Sequence, residues 1–68
     1  MNWTVANDKY CLENWRVYGT PEGWRISHRK YKELPNFTEL PGLIFETSEK
    51  ALAMVERLIE REKATDGE

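Results

Sequence analysis

The sequence predicts an α+β fold, an antiparallel sheet of three or four strands with one carboxy-terminal helix packed on its apolar face. Apolar and polar residues alternate at 15–18 and 24–27 on either side of a turn, which is the pattern of a hairpin. Apolar residues near the end of the chain repeat at helical spacing. With 68 residues there is room for one domain only. We expect that domain to span residues 1–63, followed by a frayed tail over residues 64–68.

Composition limits the classes of protein to which the chain can belong. Hydrophobic residues make up 40% and charged residues 32%, which is typical of a globular protein, and the formal net charge is only −2. A single Cys excludes an internal disulfide, and one Cys with one His is too little for a structural zinc site, so we expect no metal and no other cofactor. No apolar run approaches the roughly 20 residues of a membrane span, so no membrane partner is expected. The free thiol and the lack of a signal-peptide pattern predict a cytoplasmic location.

The clearest element of the front half is the hairpin around residues 20–23. Pro and Gly at the second and fourth positions of this segment fit a type I turn. We expect a register that places the apolar residues of both strands on one face, because a slip of one residue would expose one set. The pairs are Trp15–His28, Val17–Ile26 and Gly19–Trp24 on the apolar face, with Asn14–Arg29, Arg16–Ser27 and Tyr18–Arg25 on the polar face.

Weaker patterns predict another short strand and a turn before the hairpin. Trp3 and Val5 alternate ahead of a turn signal at residues 7–8, which leads to Tyr10 and Leu12, and whether residues 2–6 form a strand is left open by the sequence. The apolar residues on either side of Glu13 and Asn14 are three positions apart, which breaks the two-residue period of a strand. We therefore expect a β-bulge at this point.

The second half of the chain predicts a loop, a strand and a helix. Two Pro within residues 31–42 should stop both a helix and a central strand, so we expect a semi-rigid loop there. Residues 43–47 predict a final strand that leads directly into a helix over residues 48–63. Either Thr47 or Ser48 can cap the start of this helix.

Catalysis is not predicted. Cys11 and His28 form the only pair that suggests a nucleophile with its base, but the expected register places them roughly 13 Å apart, with the bulge turning Cys11 to the opposite face. The acidic residues of the helix lie beside Arg57 and Arg61 on its solvent side, and the Gly residues lack the spacing of a phosphate-binding loop. We therefore expect neither an enzyme nor a small-molecule substrate.

The most concentrated charge lies in residues 24–32, which contain four cations and no acid. Arginine forks beside an aromatic ring suit contacts with phosphates and bases, and they also suit an acidic protein patch. Alternatively, these side chains only fill the solvent-exposed face of a sheet. The candidate residues for binding nucleic acid or an acidic partner are Arg16, Tyr18, Arg25, Arg29, Lys30 and Lys32.

A second candidate surface is the loop that contains Leu34, Phe37 and Leu40. Because Pro residues stiffen this loop, it could present an apolar patch to another protein at little ordering cost. The same residues could instead close the open side of the sheet. Both interpretations remain open at the level of the sequence.

The junction of the last strand and the helix, Phe45-Glu-Thr-Ser-Glu-Lys-Ala51, follows a predicted antiparallel sheet. This arrangement resembles the amino-terminal DNA-binding domains of tyrosine integrases, over about Trp15 to Glu60. The resemblance implies that the outer face of the sheet would bind in the major groove of DNA.

Two classes of function follow from these observations. The first is a non-enzymatic interaction module that binds a protein, of the kind that phages and mobile elements encode as regulators or inhibitors. Its partner would be another protein or a second copy in a homodimer, since the core of so small a domain is thin. The alternative is nucleic-acid binding through the basic face of the hairpin. Small size, many aromatic residues and the lack of catalytic groups favour the first class.

Overall fold

The computed structural model describes the backbone of residues 2–66 and the side chains of residues 2–63. Within this part of the chain, five strands and one helix follow in the order β1 (Thr4–Ala6), β2 (Lys9–Leu12), β3 (Trp15–Thr20), β4 (Gly23–His28), β5 (Thr38–Phe45) and α1 (Ser48–Asp66). The strands form one antiparallel sheet in which each strand pairs with its neighbour in the sequence. The predicted α+β class is confirmed, whereas the predicted number of three or four strands is too low.

The hairpin of β3 and β4 has the predicted register. The observed pairs are Trp15–His28, Arg16–Ser27, Val17–Ile26, Tyr18–Arg25, Gly19–Trp24 and Thr20–Gly23. Beyond the strand ends, the Arg29 N–H donates to the Asn14 carbonyl over 3.0 Å, which continues the same alignment. This register is stable because it buries one apolar set from each strand on the same face.

The turn of this hairpin is stabilised by the side chain of Thr20 and packs closely against β5. The Thr20 hydroxyl donates to the Gly23 carbonyl over 2.7 Å and accepts from the Glu22 N–H over 3.2 Å. Gly23 has a φ of +142°, and a Cβ at this position would come within 2.8 Å of both the Ile44 side chain and the Phe45 carbonyl oxygen. A glycine is therefore required both by the backbone and by the adjacent strand.

Two tight turns connect β1, β2 and β3. Asn7 and Asp8 have φ values of 51° and 62°, as expected for the two central residues of a type I′ turn. A second two-residue turn at 13–14 places Leu12 directly opposite Trp15. The predicted bulge at 13–14 is therefore wrong, because the chain reverses there and the three-residue spacing joins two neighbouring strands instead of interrupting one.

The last strand is longer than predicted. β5 begins at Thr38, well before the expected start at Leu43, and it includes Pro41 and Gly42. Its ladder with β4 contains a register shift, and Gly42 has a φ of +77°. Because β5 is an edge strand, a residue without an N–H is tolerated at such an irregularity. The prediction that residues 31–42 form only a loop is therefore wrong from Thr38 onward.

The helix begins at the predicted residue. The Lys50 N–H donates to the Thr47 hydroxyl over 3.2 Å, so Thr47 is the N-cap. The helix continues to Asp66, beyond the predicted end at Lys63, and the final residues of the predicted tail, 67–68, lie outside the described residues. Within residues 2–66, no helix is long and apolar enough to cross a membrane.

The core lies between one face of the sheet and α1. Its buried apolar residues are Trp15, Val17, Ile26, Ala51 and Val55. Partly buried apolar residues surround them, namely Trp3, Tyr10, Trp24, Leu40, Leu43, Phe45, Leu52, Met54, Leu58 and Ile59. The helix contacts β3, β4 and β5, and the Trp3 indole N–H donates to the Glu56 carboxylate over 3.1 Å. The opposite face of the sheet therefore remains free of the helix, and we call it the outer face.

Candidate binding face

The outer face is formed by the residues that alternate with the buried ones along β3 and β4. Residues directly opposite each other in an antiparallel pair lie on the same face, so the observed pairing determines which side chains belong to it. The paired residues of the outer face are Thr4, Ala6, Lys9, Cys11, Arg16, Tyr18, Thr20, Gly23, Arg25, Ser27, Glu39 and Ile44. Three of these are cations and one is an acid, so the face is locally positive although the whole chain carries −2.

A charge cluster occupies the middle of the outer face. The Arg25 guanidinium lies 2.7 Å from the Glu39 carboxylate, and its side chain is only 16% exposed. The Tyr18 hydroxyl donates to the same carboxylate. Burial, followed by this hydrogen bond and the negative charge of Glu39, raises the pKa of Tyr18 to about 12, with the charge of Arg25 acting in the opposite direction. The positive charge of Arg25 is therefore largely neutralised within the protein.

An aromatic ring holds two further cations beside this cluster. The guanidinium carbons of Arg16 and Arg29 lie 4.1 Å and 4.7 Å from the centre of the Phe37 ring, within the range of cation–π contacts. Arg29 also donates to the Asn14 side-chain oxygen over 3.0 Å and to the Leu34 carbonyl over 3.1 Å. Arg29 thus anchors the segment that leads to β5, and this segment in turn positions Phe37.

Arg16 differs from the other two arginines of the hairpin. It is exposed, and no described side chain or carbonyl makes a hydrogen bond or an ion pair with its guanidinium. Its planar fork nevertheless has a defined position, because the ring of Phe37 supports it. The outer face therefore presents one fixed arginine with unused donors.

The remaining predicted residues do not all belong to this face. Lys30 and Lys32 are exposed in the segment after β4, where the Lys30 ammonium lies 5.5 Å from the Tyr31 ring centre. The three loop residues that the sequence grouped together lie in different environments. Leu34 is 42% exposed, Phe37 supports the two arginines, and Leu40 packs against the core.

Cys11 and His28 lie on opposite faces of the sheet. Cys11 is paired with Arg16 on the outer face, whereas His28 stacks on Trp15 with 4.1 Å between the ring centres. These two side chains therefore do not form a nucleophile and its base. Among the described residues, no group of three His, Cys, Asp or Glu is placed to hold a metal ion.

Sequence reasoning missed the roles of Glu39 and Phe37 in the outer face. Glu39 was not singled out, and Phe37 was assigned to an apolar loop patch instead of the basic face. Neither role has a local signal, because each depends on where β5 and the preceding segment cross the hairpin.

Comparison of the chain with family models, with curated proteins and with solved structures gives no match. The function is therefore inferred from the chemistry of the outer face. On that face the fixed guanidinium of Arg16 can bind an anionic group, and the Phe37 ring beside it provides an apolar surface. The neighbouring Arg25–Glu39 pair is already neutralised within the protein.

Proposed function

We propose that this protein is a non-enzymatic interaction module that binds another protein through the outer face of its sheet. The observation that carries the proposal is the set of intramolecular contacts that fixes Arg16, Phe37 and Tyr18 on a surface free of the helix. Arginine and aromatic residues dominate the energetically important positions of protein interfaces. Side chains that are already ordered lose less conformational entropy on binding, which favours affinity.

The small size of this domain favours a regulator or an inhibitor that acts by covering part of its partner's surface. Phages and mobile elements encode proteins of this kind. Cys11 is a free, half-buried thiol, which supports a reducing compartment such as the cytoplasm. A homodimer is a further proposal, because β1 is an open edge strand whose Val5 is 63% exposed.

Nucleic-acid binding is the second candidate function. The excess of cations over acids on the outer face favours it, and the exposed Lys32, which lines a cavity with Asn14 and Arg29, adds positive charge at the end of that face. Against it, the guanidinium of Arg25 is paired with Glu39, a carboxylate that would repel phosphates. We therefore place protein binding first.

Site-specific photo-crosslinking tests the proposal. A photoreactive amino acid at Ala6, which is exposed and pairs with Lys9 on the outer face, should crosslink a partner protein in an extract of the source cells, whereas the same group at the exposed Arg57 of α1 should not. The captured protein is then purified, and its binding to the parent protein and to the Arg16→Gln variant is measured by calorimetry. Equal crosslinking from both positions would contradict binding through the outer face.

The second candidate is tested with a short DNA duplex at low and moderate salt. Tight, salt-sensitive binding of the duplex, together with no protein crosslink from position 6, would favour nucleic acid as the partner.

A further inference from the structure

The pairing of β2 with β3 places a second uncommitted cation near Arg16. Lys9 lies directly opposite Tyr18, two residues along β3 from Arg16, so the two cations are diagonal neighbours on the outer face. Such neighbours have Cα atoms about 7–8 Å apart. Both residues are exposed, and neither side chain makes a hydrogen bond or an ion pair with any described residue.

This spacing matches the repeat of an extended peptide. Successive side chains on one side of a strand are two residues apart, which corresponds to about 6.6 Å. Two carboxylates separated by one residue could therefore reach Arg16 and Lys9 at the same time. The fork of Arg16 suits a carboxylate because it can donate two parallel hydrogen bonds.

We propose that the partner presents an extended acidic segment, acidic residue–any residue–acidic residue, whose carboxylates bind Arg16 and Lys9. This inference rests on the proposed function and specifies the chemistry of its partner. Phe37 holds the Arg16 guanidinium in place, and Arg29, over the same ring, adds a second positive charge nearby. The positive charge of these side chains therefore favours an acidic segment as the ligand of the outer face.

An acidic peptide fits the outer face better than a DNA duplex does. Duplex DNA carries one negative charge per about 1.7 Å of its axis, so tight binding needs many cations along a groove. The Glu39 carboxylate interrupts the positive surface of the sheet, and Arg25 is already paired with it. A short segment with two carboxylates needs only Arg16 and Lys9 and can avoid Glu39.

The test uses a fluorescently labelled peptide of alternating Glu and Ser, with an alternating Lys and Ser peptide as the charge control. Fluorescence anisotropy at low salt should show saturable binding of the Glu peptide to the parent protein and none of the Lys peptide. Arg16→Gln should weaken binding about tenfold, as expected for the loss of a charge-assisted bidentate contact. Lys9→Gln should weaken it by a smaller factor.

Two further variants separate charge from geometry. Arg57→Gln removes an exposed cation of α1 and should leave the affinity unchanged, since that residue lies outside the outer face. Arg16→Lys keeps the charge but loses the fork, so its affinity should lie between those of the parent protein and Arg16→Gln. Arg16 is exposed, so circular dichroism should show that both of its variants remain folded.

Three results would overturn the inference. The first is equal affinity of the parent protein and Arg16→Gln for the Glu peptide, and the second is an equal loss in Arg57→Gln. The third is a DNA duplex that binds more tightly than the peptide and depends on Arg16. If a partner protein still crosslinks from position 6 while the Glu peptide does not bind, the acidic segment is wrong and the proposed function stands.

Discussion

Replacement of Ile26 by Ala tests the core most directly. Ile26 lies in β4 and is 0% exposed. A buried Ile→Ala change costs about 2–5 kcal/mol, because transfer free energy is lost and a cavity remains. A domain of 68 residues has a stability of about 3–10 kcal/mol at the usual value per residue. The variant should therefore lose a large part of its stability.

Ile44→Ala is the matched control, since it removes the same atoms from the outer face. Ile44 is 43% exposed, so its change should cost roughly half as much as the transfer of a fully buried Ile, about 1 kcal/mol. The measurement is urea and thermal unfolding followed by tryptophan fluorescence and circular dichroism. A loss of about 3 kcal/mol lowers the melting temperature of such a domain by about 12–24 °C. If Ile26→Ala is no less stable than Ile44→Ala, the core is assigned incorrectly.

Two further predictions concern the turn and the charge cluster. Gly23→Ala should destabilise the protein more than Gly42→Ala in urea unfolding. Both glycines have a positive φ, but only a Cβ at Gly23 would meet neighbouring atoms at 2.8 Å. Equal losses of unfolding free energy in the two variants would contradict this reasoning. Because the folded pKa of Tyr18 is about 12, above its ordinary value of 10.0, its contribution to stability should be complete below pH 10 and lost as the pH rises toward 12. Absorbance titration should show a late-forming tyrosinate that Tyr18→Phe removes and that Glu39→Gln shifts toward lower pH; no change in Glu39→Gln would exclude the negative charge of Glu39 as a cause, since the Gln amide oxygen can still accept from the Tyr18 hydroxyl.

The sequence determined the central hairpin and the start of the helix. Two strands with one apolar set each and a turn between them allow one register that buries both sets, and Val17 does lie opposite Ile26. Thr47 was one of two predicted caps, and its hydroxyl accepts the N–H of Lys50. Such features depend on residues close together in the chain, so local patterns suffice to predict them.

Only the tertiary structure decided how the outer face is organised. The sequence placed Arg16, Tyr18 and Arg25 on one face, but it gave no indication that Glu39 pairs with Arg25 or that Phe37 supports Arg16. Both contacts depend on the path of the chain after β4 and on the irregular ladder of β5. Pro residues and a register shift make that path unpredictable from a two-residue period. Long-range packing therefore decides that Arg25 forms an ion pair with Glu39, whereas Arg16 only contacts the ring of Phe37.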